Sequence, residues 1–279
     1  MFTLVPDYYK NFKCLAGECR HSCCSEGWDI EIDKSAEARY KHEINKGSEI
    51  GKKLKTSVKF GKPSRFIPNG KTCPLLNGDG LCELILSGGD KMLCQICADH
   101  PRFRNFFDDH VEMGVGLCCE EAARLVIDHE GMVRYENLET GEEARPAFFT
   151  TPVPLMLVPV NIPEVIERLL TFEILNDEWR VILKNTLKHT GKELPEAFDT
   201  AAWANAFLRI KEYLLYRHLT NEGFVFSEVC MSLIIEVTKA QYYELGALSL
   251  EDFADIVRIF SSEVEYSQEC IDYISSFGR

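Results

Sequence analysis

The chain has 279 residues, 46% hydrophobic and 27% charged, with 31 basic against 44 acidic side chains and a net charge of −13. A chain this long buries a core without covalent staples. Its acidic balance excludes nucleic acid and anionic lipid as partners, because both are held through Lys and Arg on phosphate, and favours a cationic partner such as a lysine-bearing protein or peptide.

The opening MFTLVPDYYKNFK lacks the apolar stretch of a secretory signal, so a cytoplasmic protein is expected. WDIEID (28–33) alternates as a short strand, and Asp33 is placed to cap a helix over KSAEARYKHEIN, where Ala36, Tyr40 and Ile44 recur every four residues. Turns dominate 62–82, rich in Pro, Gly and Asn. VEMGVGLC (111–118) looks like a nucleotide-binding glycine turn, but the preceding RFRNFFDDH is charged and unsuited to the buried strand such a turn needs. EEAARLVI (120–127) reads as a helix and HEGMVRYENLETGEE as a hairpin or loop.

Five prolines in 146–163 rule out a regular helix there and mark a boundary. The longest strongly apolar run, VPLMLVPV (153–160), is far shorter than the roughly 20 residues of a membrane span, so no membrane partner is expected. Beyond it the pattern is helical. Pro163 sits in a first turn, Gly191 and Gly223 are placed as stops, and 226–246 is apolar nearly all round. Ser249 and Asp252 have capping-box spacing. The fold expected is mainly α (α+β): a loop-rich, cysteine-rich region over 1–145 and a helical region over 146–279, packed as one compact unit. The two regions carry −4 and −9.

Ten of the twelve cysteines precede residue 120, and CLAGECRHSCC (14–24) holds four of them. Disulfides need an oxidising compartment. Neighbouring Cα atoms, about 3.8 Å apart, are also too close for the adjacent pairs Cys23–Cys24 and Cys118–Cys119 to bond to each other. A metal centre accounts for more: thiols on Gly- and Pro-containing loops converge on one inorganic group. Zinc favours paired CxxC ligands, and only Cys94–Cys97 has that spacing; the irregular spacing and surplus of thiols favour an iron–sulfur cluster, with zinc the alternative. Cys94–Cys97 also has the spacing of a redox dithiol, without the βαβ context. Cys230 and Cys270 lie in apolar helical stretches and read as core.

Cys14, Cys19, Cys23 and Cys24, followed by Gly27-Trp28 and IEID, resemble the opening of the flagellin lysine-N-methylase family, within a wider group marked by a CxxCxxCC-type cluster. The likeness continues through Cys73-Pro74-Leu75-Leu76, Leu81-Cys82, Cys97, Pro101-Arg102 and Cys119 to Leu125, and into EYLLYRHL (212–219) and SSEVEYSQECIDYI (261–274). The chain reads as a shortened member. The resemblance implies methylation of lysines, on flagellin or another peptide, from S-adenosylmethionine, and a 4Fe–4S cluster. By position the matching metal ligands are Cys14, Cys19, Cys23, Cys24, Cys73, Cys82, Cys97 and Cys119, with Cys94 and Cys118 as extras.

Methyl transfer needs a neutral amine, and a free lysine is neutral in about one molecule in 2,500 at pH 7. Candidate bases are Asp99, Glu121 and Tyr216, with Asp108, Asp109 and Glu112 also near the cysteine loops. Arg102 and Arg124 are candidates to pair with the cofactor carboxylate. Arg217 and Glu265 are expected to be buried partners. Two other classes stay open: a non-enzymatic iron–sulfur or zinc protein binding a partner through its helices, and a cluster-dependent redox or radical enzyme acting on peptides.

Overall fold

The computed structural model of the chain describes residues 1–149, 160–219 and 223–278. It is mainly α, with two small sheets, and its contacts divide it into two compact units, Lys13–His100 and Met1–Phe12 with Pro101–Arg279. The division falls elsewhere than at residue 145, where the prolines placed it; most of that proline-rich stretch, with nearly all of VPLMLVPV, lies outside the described residues. The larger unit is discontinuous because the first strand, β1 (Phe2–Pro6), pairs with strands from beyond residue 109.

In the smaller unit β2 (Glu31–Ile32) leads through Asp33 into α1 (Lys34–Lys46). Asp33 Oδ1 accepts the Ala36 amide at 2.9 Å, the cap expected from the sequence. Gly47, at φ 70°, closes α1 in the left-handed conformation, and Ser48 caps α2 (Glu49–Ser57). α2 runs directly into β3 (Val58–Lys59), and β4 (Ser64–Phe66) joins β2 and β3 in an antiparallel sheet ordered β2-β4-β3. Two short helices follow, α3 (Glu83–Gly88) and α4 (Gln95–Asp99). One apolar cluster, including Ile32, Tyr40, Leu54, Leu75 and Leu84, forms the core of this unit.

The larger unit begins its continuous part with a hairpin of β5 (Arg102–Phe106) and β6 (His110–Val115). The charged RFRNF segment forms a partly exposed strand against a largely buried β6, not the buried strand a nucleotide-binding turn needs. α5 (Glu120–Ile127) and β7 (Tyr135–Asn137) complete a sheet ordered β5-β6-β1-β7, in which only the β1–β6 pair is parallel. α6 (Ile162–Leu169) carries Pro163 in its first turn, and Asn176 caps α7 (Asp177–His189). α8 (Ala201–His218) starts at a Thr200 cap and ends before Gly223, which opens α9 (Gly223–Leu245) rather than closing α8.

α9 is the central helix, packing on α7 and α8, with Phe226, Val229, Cys230, Leu233 and Ile234 fully buried. Ser249 and Asp252 make the expected capping box on α10 (Leu250–Phe260). A π-turn over Ser261–Glu265 then leads to α11 (Gln268–Ser275). Such turns displace side chains from the regular helical face; here Glu263 and Glu265 are both turned inside. Among the described residues no helix is long and apolar enough to cross a membrane.

Candidate metal centre

The smaller unit gathers its thiols by loop geometry. The Cys73 amide donates to the Cys24 carbonyl at 2.7 Å, which ties the end of the first cysteine loop to the second. Between Cys73 and Cys82 the chain doubles back: Leu76 bridges Cys82, the Glu83 amide donates to Leu75, and Asn77 Oδ1 accepts the amides of Asp79 and Leu81 at 3.0 and 2.8 Å. Gly17 of CLAGECR lies against this turn so closely that a methyl group there would stand 2.5 Å from the Asp79 carbonyl oxygen. Cys82 precedes α3, while Cys94 precedes α4 and Cys97 follows within its first turn. Cys73, Cys82 and Cys97 pack against the same apolar cluster that contains the fully buried Cys94.

These thiols feel one another electrically. The Cys94 thiol is drawn down to about 7 by hydrogen bonding with Cys97, whose own proton is held more tightly in consequence. Cys24 is likewise drawn down to about 7 by hydrogen bonding with Cys23. Burial pushes Cys73 up to about 11, with charge on Cys24, Cys82 or Cys94 adding to the rise. Cys82 is raised by burial and drawn back by the amides of Ile85 and Leu84. Five thiols, on Cys24, Cys73, Cys82, Cys94 and Cys97, thus share one neighbourhood in which charge on one disfavours charge on the others.

The donor set fits a thiophilic centre. Clustered sulfur donors suit zinc or iron–sulfur, and no disulfide consumes them. Among the described residues, no three His, Cys, Asp or Glu side chains already form a group able to hold a single ion. Of the other cysteines implied by the resemblance, Cys14 is exposed, its Sγ accepting the Ala16 amide at 3.4 Å, and Cys19 and Cys23 are half-buried on the same loop. Cys119 belongs to the larger unit, where it precedes α5 beside the buried Cys118.

The candidate catalytic and cofactor-binding residues have identifiable local roles. Asp99 Oδ2 accepts from Gln95 Nε2 at 2.7 Å within α4. Glu121, buried, receives two hydrogen bonds from Arg124, at 2.8 and 2.9 Å. Arg102 lies over the rings of Tyr9 and Phe12, and its Nε donates to Tyr9 Oη at 3.0 Å. Tyr216 is a buried strut: its hydroxyl donates to the Leu4 carbonyl at 2.8 Å, and burial holds its proton far above the usual phenol range. Asp109 is bonded to His110 at the surface. Glu112 is fully buried, its Oε1 accepting the Ala147 amide at 2.5 Å, and burial raises its affinity for a proton.

Arg217 and Glu265 are buried partners, with Nε 3.4 Å from Oε1. Arg217 is ringed by Phe103, Tyr213 and Tyr266, and its Nη1 donates to Tyr213 Oη at 2.6 Å. His218 Nε2 lies 2.6 Å from Glu265 Oε1, and Tyr213 Oη donates to Oε2 at 3.2 Å. His218 and Tyr213 were not anticipated, although the four-residue spacing of Tyr213 and Arg217 puts them on one face of α8. The glycines of VEMGVGLC serve packing: a methyl group at Gly114 would strike the Phe103 ring, and one at Gly116 would meet Tyr266 Oη at 2.6 Å and Arg217 Nη1 at 2.8 Å.

Fold and site together define a mainly α protein whose smaller unit carries a partly buried group of thiols. Comparison with known proteins adds similar sequences. The chain is 27% identical over 140 residues to the lysine-N-methylases of Salmonella choleraesuis and Salmonella typhimurium, a match covering 47% of this chain and 34% of each of those proteins. It is 26% identical, over the same length, to the flagellar biosynthetic protein FliU of Salmonella muenchen, covering 81% of that protein. The match spans about a third of the length of the two methylases. No family model and no solved structure matches it.

Proposed function

We propose that this chain is an S-adenosylmethionine-dependent lysine N-methyltransferase acting on a protein or peptide, and that its smaller unit holds an iron–sulfur cluster. The observation that carries the reading is the similarity to two curated proteins named lysine-N-methylase. The flagellar name of the third relative supports flagellin as the substrate. The clustered thiols of Cys24, Cys73, Cys82 and Cys97 support the inorganic group, with zinc the alternative. When bound, such a group supplies either structural bracing or an iron atom open to the amino and carboxyl groups of the cofactor.

In the reaction the lysine nitrogen lone pair forms the new N–C bond while the sulfonium C–S bond breaks and its electrons pass to sulfur. The proton that ionises lysine must first leave for a base. The chain's net charge of −13 draws a lysine-bearing partner from solution. The test uses protein purified without oxygen, titrated calorimetrically with S-adenosylmethionine, then incubated with flagellin and a lysine peptide and read by mass spectrometry. Cofactor binding and methyl additions on lysine are expected. Absence of cofactor binding by protein with its metal intact refutes the reading and leaves a binding module; 5′-deoxyadenosine formed under reducing conditions instead identifies radical chemistry.

A further inference from the structure

Cys94 is one of the two cysteines before residue 120, with Cys118, that the family resemblance passes over, yet the structure treats it unlike a core residue. It is fully buried in an apolar cluster on which Cys73, Cys82 and Cys97 also pack, and its thiol is hydrogen-bonded to that of Cys97. Cys230, equally buried, belongs to the ordinary apolar core of the larger unit. The backbone around Cys94 is also held on both sides by the end of β2 and by α1. Tyr40 Oη donates to the Met92 carbonyl at 3.0 Å, Arg39 Nη2 donates to the Leu93 carbonyl at 2.8 Å, and the Gln95 amide donates to Asp33 Oδ2 at 2.8 Å. Three side chains grip the residues that bracket position 94, fixing the direction of its Cα–Cβ bond. A small apolar filler needs no such fixation, whereas a ligand does, because a thiolate misplaced by an ångström forfeits its bond.

We propose that Cys94 is one of the thiolates that hold the inorganic group of the smaller unit. The inference rests on the reading that this unit binds a metal or cluster, and adds to the ligand set a residue outside the family pattern. On binding, the Cys94 S–H bond gives way to a sulfur–metal bond and the proton passes to solvent. The same three grips make Asp33, Arg39 and Tyr40 positioning residues for that ligand.

The test compares unsubstituted protein with Cys94→Ser and Cys118→Ser, all purified without oxygen. Iron, acid-labile sulfide and zinc are measured per chain, with the visible absorbance and the paramagnetic resonance spectrum of the reduced protein. Cys118→Ser should match the unsubstituted protein. Cys94→Ser should lose at least half of the bound metal, or keep it with a shifted spectrum because oxygen replaces sulfur. Full metal content with an unchanged spectrum in Cys94→Ser overturns the assignment of Cys94 alone. Unsubstituted protein without metal overturns the metal reading itself. Should Cys94→Ser fail to fold, by circular dichroism, alkylation of the unsubstituted protein decides: a chelator should expose Cys94 together with Cys97 while Cys230 stays protected. Equal labelling of Cys94 with and without chelator refutes the proposal.

Discussion

Replacing Arg217 with Ala tests the buried charge network most directly. At 3.4 Å the Arg217–Glu265 attraction is roughly 5 kcal/mol with an effective dielectric near 20, and this offsets the desolvation of both groups. Removing the guanidinium leaves Glu265, itself buried, with His218, Tyr213 and Ser261 and no fixed cation. Losing one member of a buried pair costs about 3–5 kcal/mol. For a unit of this size that corresponds to a melting temperature lower by roughly 6–20 °C. Urea denaturation followed through the fluorescence of Trp179 and Trp203, both in the core of this unit, reports the loss. Arg217→Met combined with Glu265→Leu removes both charges and should cost less than Arg217→Ala alone. A single-variant cost below about 1 kcal/mol, or a double variant equal to the sum of its singles, would refute the network as drawn.

The remaining expectations probe the same two regions. Burial by itself would raise the Glu265 carboxyl, but Arg217 and then His218 outweigh it and hold the group below its ordinary value. Its contribution is therefore present above the unfolded value of about 4.3 and lost as pH falls through the lower folded value; urea midpoints should drop across that window, and Glu265→Gln should flatten the drop. Gly17→Ala sets a methyl group against the Asp79 carbonyl and should cost about 1–3 kcal/mol with reduced metal retention; an unaltered melt would show that the first cysteine loop does not rest on that turn. Asp33→Ala removes the α1 cap and the acceptor for the Gln95 amide together, for roughly 2–4 kcal/mol. Faster alkylation of Cys94 should accompany it, and an unchanged rate would sever the cap from the thiol loop.

Local signals in the sequence were read correctly where the physics is local. The Asp33 cap, the Ser249–Asp252 capping box, the first-turn Pro163 and the all-round apolarity of α9 each depend on residues within one or two turns. The Arg217–Glu265 partnership was legible because a charge inside an apolar helix demands an opposite one. What failed was non-local. Gly223 reads as a stop because nothing in its neighbours announces the next helix start. The hold of the α1 side chains on the backbone beside Cys94 leaves no mark in cysteine spacing.

The acidity of the chain bears on the proposed reaction in two opposed ways. A field from 44 carboxylates against 31 cations attracts a lysine and raises its local concentration. The same field stabilises the ammonium form and lowers the already small fraction, about one in 2,500 at pH 7, that can attack a methyl group. Attraction alone therefore helps encounter and hinders chemistry. The conflict resolves only if the amine leaves the solvated acidic surface for a site where desolvation disfavours its charge and a carboxylate takes the proton. Solvated acids such as Asp109 cannot supply that, since their own charged form is favoured. A carboxyl whose proton affinity is raised by burial has the required character, and Glu112 is one such group in this fold. Neutralising the substrate amine therefore calls for a dry site, not the surface charge that recruits it.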